Sequence, residues 1–270
     1  MSRRVKTAVV LLAISLFCVF AGGIAFLLLV GAACMALSVE WTTLCRGPDP
    51  PYDIYAVCML MVIVTACVAG GTGGPAIGLL LLLGGTVAAL IWQGGVGPEP
   101  GHGRFAYAMG FPYLGPAAVA LPWLRSDPAV GLANTLFVLC IVWASDIGAY
   151  LIGRILGGPR LVPAISPGKT WSGAIGGLVS AALAGLAVAA CFAPKFSSLH
   201  VTAMAIGLGI ISQAGDLLES ALKRHFGVKD SGRIIPGHGG LLDRLDALLA
   251  VAPVAALLAL TVGRGVVLWQ

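Results

Sequence analysis

Long apolar runs, parted by short clusters of glycine, proline and charge, dominate the pattern of this chain. Runs near 20 residues recur from residue 7 to residue 263, and about 20 apolar residues are what a helix needs to cross a bilayer. The runs are continuous rather than alternating, so they do not read as barrel strands. In lipid every backbone polar group must be satisfied internally, which leaves helices. The pattern predicts an all-α polytopic integral membrane protein of about nine transmembrane helices. They are placed near 7–20, 24–40, 55–70, 74–93, 105–123, 129–153, 171–193, 199–222 and 244–263. Ala21-Gly22-Gly23 divides the first apolar run, a Gly-Gly-Thr-Gly-Gly segment parts the third helix from the fourth, and Pro112 and Pro116 interrupt the fifth. Polar loops are expected at 43–53 and 94–104, and a basic connection at 154–170. The basic start and apolar core fit a cleaved leader, but the apolar stretch runs on past any plausible cleavage site, which favours a retained helix.

Composition supports this class. Of 270 residues, 59% are hydrophobic and 10% are charged, against about 25% charged in a soluble domain. The net charge of +5 is no signature of nucleic-acid binding, because its distribution matters more than its sum. With nine spans and the N-terminus inside, Arg3, Arg4, Lys6, Arg46, Arg104, Arg154, Arg160, Lys169, Lys223, Arg224, Lys229, Arg233 and Arg244 fall inside. Arg125, Lys195 and Arg264 fall outside. Thirteen against three places the N-terminus and both charge-rich loops on the cytoplasmic face. The seven cysteines are scattered, odd in number and mostly within apolar runs, so they read as small hydrophobes rather than a disulfide framework or zinc site.

Candidate chemistry gathers in two stretches. Ser220 to Asp246 holds Lys223, Arg224, Lys229, Arg233 and Arg244 against Asp230, Asp243 and Asp246, with a Pro236-Gly237-His238-Gly239-Gly240 turn. Asp146 and Asp216 lie toward the cytoplasmic ends of their helices, and an ionisable group in a span is a functional hypothesis by default. Asp243 and Asp246, spaced i, i+3, project from one helical face. Four carboxylates near one depth repel unless cations lie between them, and hard cations such as Mg²⁺ take oxygen ligands together with substrate phosphates. Lys223, Arg224, Lys229 and Arg233 suit a phosphate clamp, though positive-inside topology also places basic residues here. Gly239 and its neighbours let backbone N–H groups approach a phosphate, and His238 either donates to one or caps the turn. In the other stretch, Ser166, Lys169 and Thr170 precede a helix N-terminus, a natural anion site; the P-loop spacing is absent, and a simple N-cap is the alternative.

These residues carry a resemblance. Ser220-Ala221-Leu222-Lys223-Arg224, Lys229-Asp230-Ser231-Gly232 and the run from Pro236 to Asp246 closely resemble the C-terminal signature of phosphatidate cytidylyltransferases, the CDP-diacylglycerol synthases. Asp146 to Tyr150, Gly153-Arg154 and Ser166 to Trp171 look like that family's other cytoplasmic motif. Three places depart from it: Gly168 stands where a second lysine is usual, Ser172 where a Glu is usual, and Trp41 is followed by Thr42 rather than Glu.

The resemblance implies Mg²⁺-dependent transfer of CMP from CTP to phosphatidic acid, giving CDP-diacylglycerol and pyrophosphate. It implies Asp146, Asp216, Asp243 and Asp246 as metal ligands, with K⁺ as a second cation in the same site. Asp216, Asp243, Asp246 and Lys223 are then catalytic, and Ser166, Lys169, Thr170, Arg224, Lys229, Arg233, His238, Gly239 and Arg244 hold substrate. Residues 1–128 become an N-terminal set of about five helices, and 129–270 the catalytic helices and loops of one membrane unit. A bacterial inner membrane and a homodimer are expectations of the same kind. A CDP-alcohol phosphotransferase would space its aspartates differently along one helix. A secondary transporter would show paired broken helices in two halves, which the sequence lacks.

Overall fold

The computed structural model describes residues 3–46, 54–91, 104–193, 195–232, 234 and 239–270. The loop segments at 47–53 and 92–103, together with Arg233 and His238, lie outside the described residues. The chain divides into two compact units: Met1–Ser126 with Lys223–Leu245, and Asp127–Leu222 with Asp246–Gln270.

In the first unit, α1 (Arg3–Ala21), α2 (Gly23–Arg46), α3 (Ile54–Gly73), α4 (Pro75–Ile91), α5 (Arg104–Ala108) and α6 (Gly110–Arg125) follow the predicted apolar runs, except that the expected fifth helix breaks at Met109 rather than at Pro112 or Pro116, both of which lie within α6. The first run breaks at Gly22, whose φ of +64° only glycine adopts readily. Two C-terminal carbonyls of α1 are then capped from a distance. Arg125 at the end of α6 donates from Nε to the Val19 carbonyl at 2.7 Å and from Nη2 to the Phe20 carbonyl at 3.1 Å. A cation at a helix C-terminus also complements its dipole. Small residues let these helices approach closely: a Cβ on Gly78 would lie 2.7 Å from the Ala66 carbonyl oxygen, and one on Gly115 would strike Leu82.

In the second unit, α7 (Gly131–Leu156) and α8 (Trp171–Phe192) pack along a glycine face, joined by a hairpin of β1 (Arg160–Val162) and β2 (Ser166–Thr170). A Cβ on Gly173 would lie 2.7 Å from the Ala149 carbonyl oxygen, and one on Gly177 would lie 2.8 Å from that of Ser145. The hairpin stands where the sequence reading expects only a connection. Strands of three and five residues are too short to show a clear alternation; here the pairing of Arg160 with Thr170 and of Val162 with Ser166 defines them. Two elements cross the boundary between the units. Helix α9 (Ser198–His225) gives its first 25 residues to the second unit, and α10 (Leu242–Val262) gives it all but the first turn.

Asp127 closes one end of the second unit. Its carboxylate accepts the Ala129 and Val130 N–H groups at the start of α7 and the Gly265 N–H at 2.8 Å, with Arg264 at 3.9 Å. Asn134 then accepts the Leu268 N–H, and Trp269 packs on Phe137 with ring centroids 4.5 Å apart. Burial alone would raise the Asp127 carboxyl, but those three N–H groups and the Arg264 guanidinium hold it below the ordinary carboxylate value.

Among the described residues, five helices are long and apolar enough to cross a membrane: Gly23–Cys45 of α2, and α7, α8, α9 and α10. Large apolar side chains such as Phe17, Leu28, Leu80 and Leu183 are exposed, an arrangement that suits lipid rather than water. The protein is a multi-pass membrane protein, helical apart from the one hairpin among its described residues.

Candidate active site

The second unit contains a cavity of about 710 Å³ between α7, the hairpin, the start of α8 and α9. It is opened by local sequence. Gly157 and Gly158, both with positive φ, turn the chain out of α7, and the hairpin then carries Ser166, Gly168 and Lys169 along one wall. Asp146 on α7 and Asp216 on α9 line it from the helices. Lys169 Nζ lies 2.6 Å from Asp216 Oδ2, with both side chains partly open to the cavity. Arg154 and Arg160 add cations; Arg154 donates to the Tyr150 hydroxyl at 2.8 Å, and Arg160 to the Gly168 carbonyl at 3.4 Å. The walls thus offer carboxylates for a cation, cations for phosphate, and apolar surface from Leu161, Ala149 and Ala174.

The predicted hydroxyls take different parts. Thr170 is the N-cap of α8: its hydroxyl oxygen accepts the Gly173 N–H at 3.1 Å, and only 5% of the residue is exposed. Ser166 lines the cavity. Of the departures from the resembled pattern, Ser172 donates to the Gly157 carbonyl and ties the helix to the turn before the hairpin. Gly168 faces open space, with nothing within 4 Å of where its Cβ would stand.

Asp246, one turn into α10, is buried in the second unit, within electrostatic reach of Asp216, Asp146 and Lys169. Asp146, Asp216 and Asp246 therefore form one electrostatic group. Among the described residues no three His, Cys, Asp or Glu side chains close into a ready-made metal cage. The donor set is nonetheless all hard oxygen, and Mg²⁺ is usually held by one or two carboxylates, with substrate phosphates and water completing its shell. These residues fit that kind of site.

The first unit holds a second cluster, built on the loop before α10. Asp243 Oδ1 accepts from Lys223 Nζ at 2.8 Å, and both side chains are about 13–14% exposed. The same carboxylate accepts the Ser231 N–H at 3.2 Å and the Gly240 N–H at 3.1 Å. Gly239, with φ +84°, makes the turn that delivers the Gly240 N–H. Arg224 is exposed and donates to the Val228 carbonyl, closing the turn after α9; Lys229, Asp230 and Arg244 are exposed. Arg233 and His238, expected here as phosphate ligands, lie outside the described residues.

One residue of this cluster is missed by the sequence reading. Glu40, near the end of α2, is 1% exposed. It accepts the Leu241 N–H on Oε1 at 2.8 Å, and the Leu242 N–H and the Ser231 hydroxyl on Oε2 at 2.7 and 3.3 Å. The available signal is that a lone carboxylate in an apolar helix is a functional hypothesis.

A cavity lined by carboxylates and cations, in a multi-pass membrane protein, has the chemistry of a membrane enzyme site suited to anionic groups. The chain matches the Cytidylyltransferase family over residues 2–262. It belongs to that family, and is a nucleotidyltransferase. Curated relatives agree. A phosphatidate cytidylyltransferase of Brucella suis biovar 1 (strain 1330) is 41% identical over 252 residues, covering 92% of this chain and 89% of its own. One from Staphylococcus saprophyticus is 42% identical over 150 residues, 56% of each chain. Another from Staphylococcus epidermidis is 46% identical over 133 residues, 47% of this chain and 49% of its own.

Proposed function

We propose that this enzyme transfers a cytidylyl group from CTP to phosphatidate, releasing pyrophosphate and CDP-diacylglycerol. The supporting observation is the cavity in which Asp146, Asp216, Lys169 and Ser166 stand together between apolar helices. A phosphate oxygen of phosphatidate, already ionised near neutral pH, forms the new P–O bond at the α-phosphorus of CTP. The bond to the β-phosphate oxygen breaks, and pyrophosphate carries away the electron pair. No strong base is needed; the barrier is charge repulsion and alignment.

Lys169, Arg160 and Arg154 neutralise and orient phosphate, and Ser166 donates to it. Asp146, Asp216 and Asp246 would hold Mg²⁺, which supplies Lewis-acid stabilisation of phosphate oxygens when bound. Lys223, Arg224, Lys229, Arg233, His238 and Arg244 are proposed phosphate contacts, with Asp243 holding Lys223 in place. The acyl chains remain in the bilayer against exposed apolar helix faces while CTP comes from water. Nine spans, an N-terminus in the cytoplasm and residence in a bacterial inner membrane complete the proposal; its support is the charge asymmetry of the loops.

The test is direct. Purified protein is incubated in detergent with labelled CTP, phosphatidate and Mg²⁺, with and without chelator, and with K⁺ exchanged for another monovalent cation. Chelator-sensitive formation of CDP-diacylglycerol and pyrophosphate in equal amounts is expected. Folded protein that forms neither, across several acyl chains and metals, overturns the reading.

A further inference from the structure

Helix α10 begins without a cap of its own. The Leu241 carbonyl accepts the Arg244 N–H at 3.0 Å and the Leu245 N–H at 3.1 Å, so Leu241 is the N-cap, and its side chain has no acceptor. Glu40 supplies the acceptor from another helix, taking the Leu241 and Leu242 N–H groups on separate oxygens. Its negative charge lies where the helix dipole is positive. The loop is shaped to admit it: a Cβ on Gly232 would lie 2.8 Å from Oε1, and one on Gly240 would lie 3.0 Å from Oε2. Ser231 is gripped twice, its hydroxyl by Glu40 and its N–H by Asp243. Asp243 in turn reaches back to the Gly240 N–H from the first turn of α10.

We propose that Glu40 is a positioning residue for cytidylyl transfer. It fixes the start of α10 together with Ser231 and Leu241, and so sets Asp243 and Lys223, with Asp246 one turn further along the same helix. It touches no substrate. Simple packing would favour an apolar residue here, because a carboxylate in an apolar span is costly unless its bonding matters. The inference rests on the reaction proposed above.

The test uses the full chain in detergent with CTP, phosphatidate and Mg²⁺. Glu40→Gln keeps the shape and one acceptor oxygen; Glu40→Met fills the space with no acceptor. The expected loss in kcat is about tenfold for Gln and about a hundredfold for Met, with KM for CTP within about threefold of wild type. Hydrogen exchange should rise in peptides spanning 239–246 and stay unchanged in α7 and α8, where the cavity lies. If Met fails to fold, Gln and its exchange pattern decide. Retention of kcat within twofold by Glu40→Gln with unchanged exchange overturns the positioning role. So does a KM that rises as steeply as kcat falls, or exchange that rises throughout the chain. A folded wild-type protein that makes no CDP-diacylglycerol instead overturns the reaction, and this role within it.

Discussion

Neutralising Asp243 with Asp243→Asn leaves Lys223 facing an uncharged amide in a mostly buried site. At 2.8 Å the pair attracts by about 6 kcal/mol at an effective dielectric of 20, and desolvation of both ions cancels much of that. A net coupling of about 2 kcal/mol remains, and the weakened bonds from the Ser231 and Gly240 N–H groups add about 1 kcal/mol to the cost of the single change. Asp243→Asn should therefore destabilise by about 3 kcal/mol, and turnover should vanish while the protein still inserts and purifies. The coupling itself is read from a double-mutant cycle with Lys223→Met, measured by reversible unfolding in mixed micelles. The double variant should cost about 2 kcal/mol less than the sum of the singles. Additivity within about 0.5 kcal/mol would show that the pair does not hold the loop. Near-wild-type turnover by Asp243→Asn would remove this carboxylate from the catalytic machinery.

The other predictions concern the second unit. Asp216→Asn should lower kcat by at least about a hundredfold with little change in Tm, since the side chain is partly exposed and pairs with Lys169 at 2.6 Å; steady-state turnover beside a melting curve checks both. Gly173→Ala presses a methyl against the Ala149 carbonyl oxygen, where backbone must move, and should cost about 1–3 kcal/mol in unfolding measurements. Asp127 gives a pH signature. Its folded-state pKa is depressed, so its stabilisation is complete above the unfolded value of about 3.9 and is lost as pH falls through the folded value. Asp127→Asn should flatten Tm against pH in that acid range and lower it at neutral pH; an unchanged slope would show that the carboxylate does not carry the effect.

The helices were legible because lipid allows so few alternatives: apolar runs gave their places, and Gly22, Gly74 and Pro75 mark breaks near those expected. The hairpin was not legible, since its strands acquire meaning only from each other. Among the site residues, Lys169, Asp146, Asp216 and Ser166 meet at one cavity, as unusual charges in apolar surroundings suggest. The pair at the start of α10 was harder to read. Spacing puts Asp243 and Asp246 on one helix, but spacing does not reveal that Asp243 is occupied by Lys223 and two loop N–H groups. Glu40 was not legible because the resembled pattern has its Glu at the position after Trp41. Thr42 stands there, and its hydroxyl bonds back to the Ser38 and Val39 carbonyls of its own helix. The carboxylate stands on the other side of Trp41, and its partners lie 191 to 202 residues away.

That separation sets a timetable for biosynthesis. Helix α2 emerges early, yet the hydroxyl and N–H groups that bond to Glu40 do not exist until the ribosome has added 191 to 202 further residues. At about 5–20 residues per second the wait is roughly 10–40 s. During that interval the nascent chain carries a carboxylic acid in an apolar segment with its eventual partners unmade. Ser231, Leu241 and Leu242 then supply the donors it lacks. The last third of the chain thus completes a helix inserted near the beginning, and a nascent chain released before residue 242 leaves that helix with an acid it cannot satisfy.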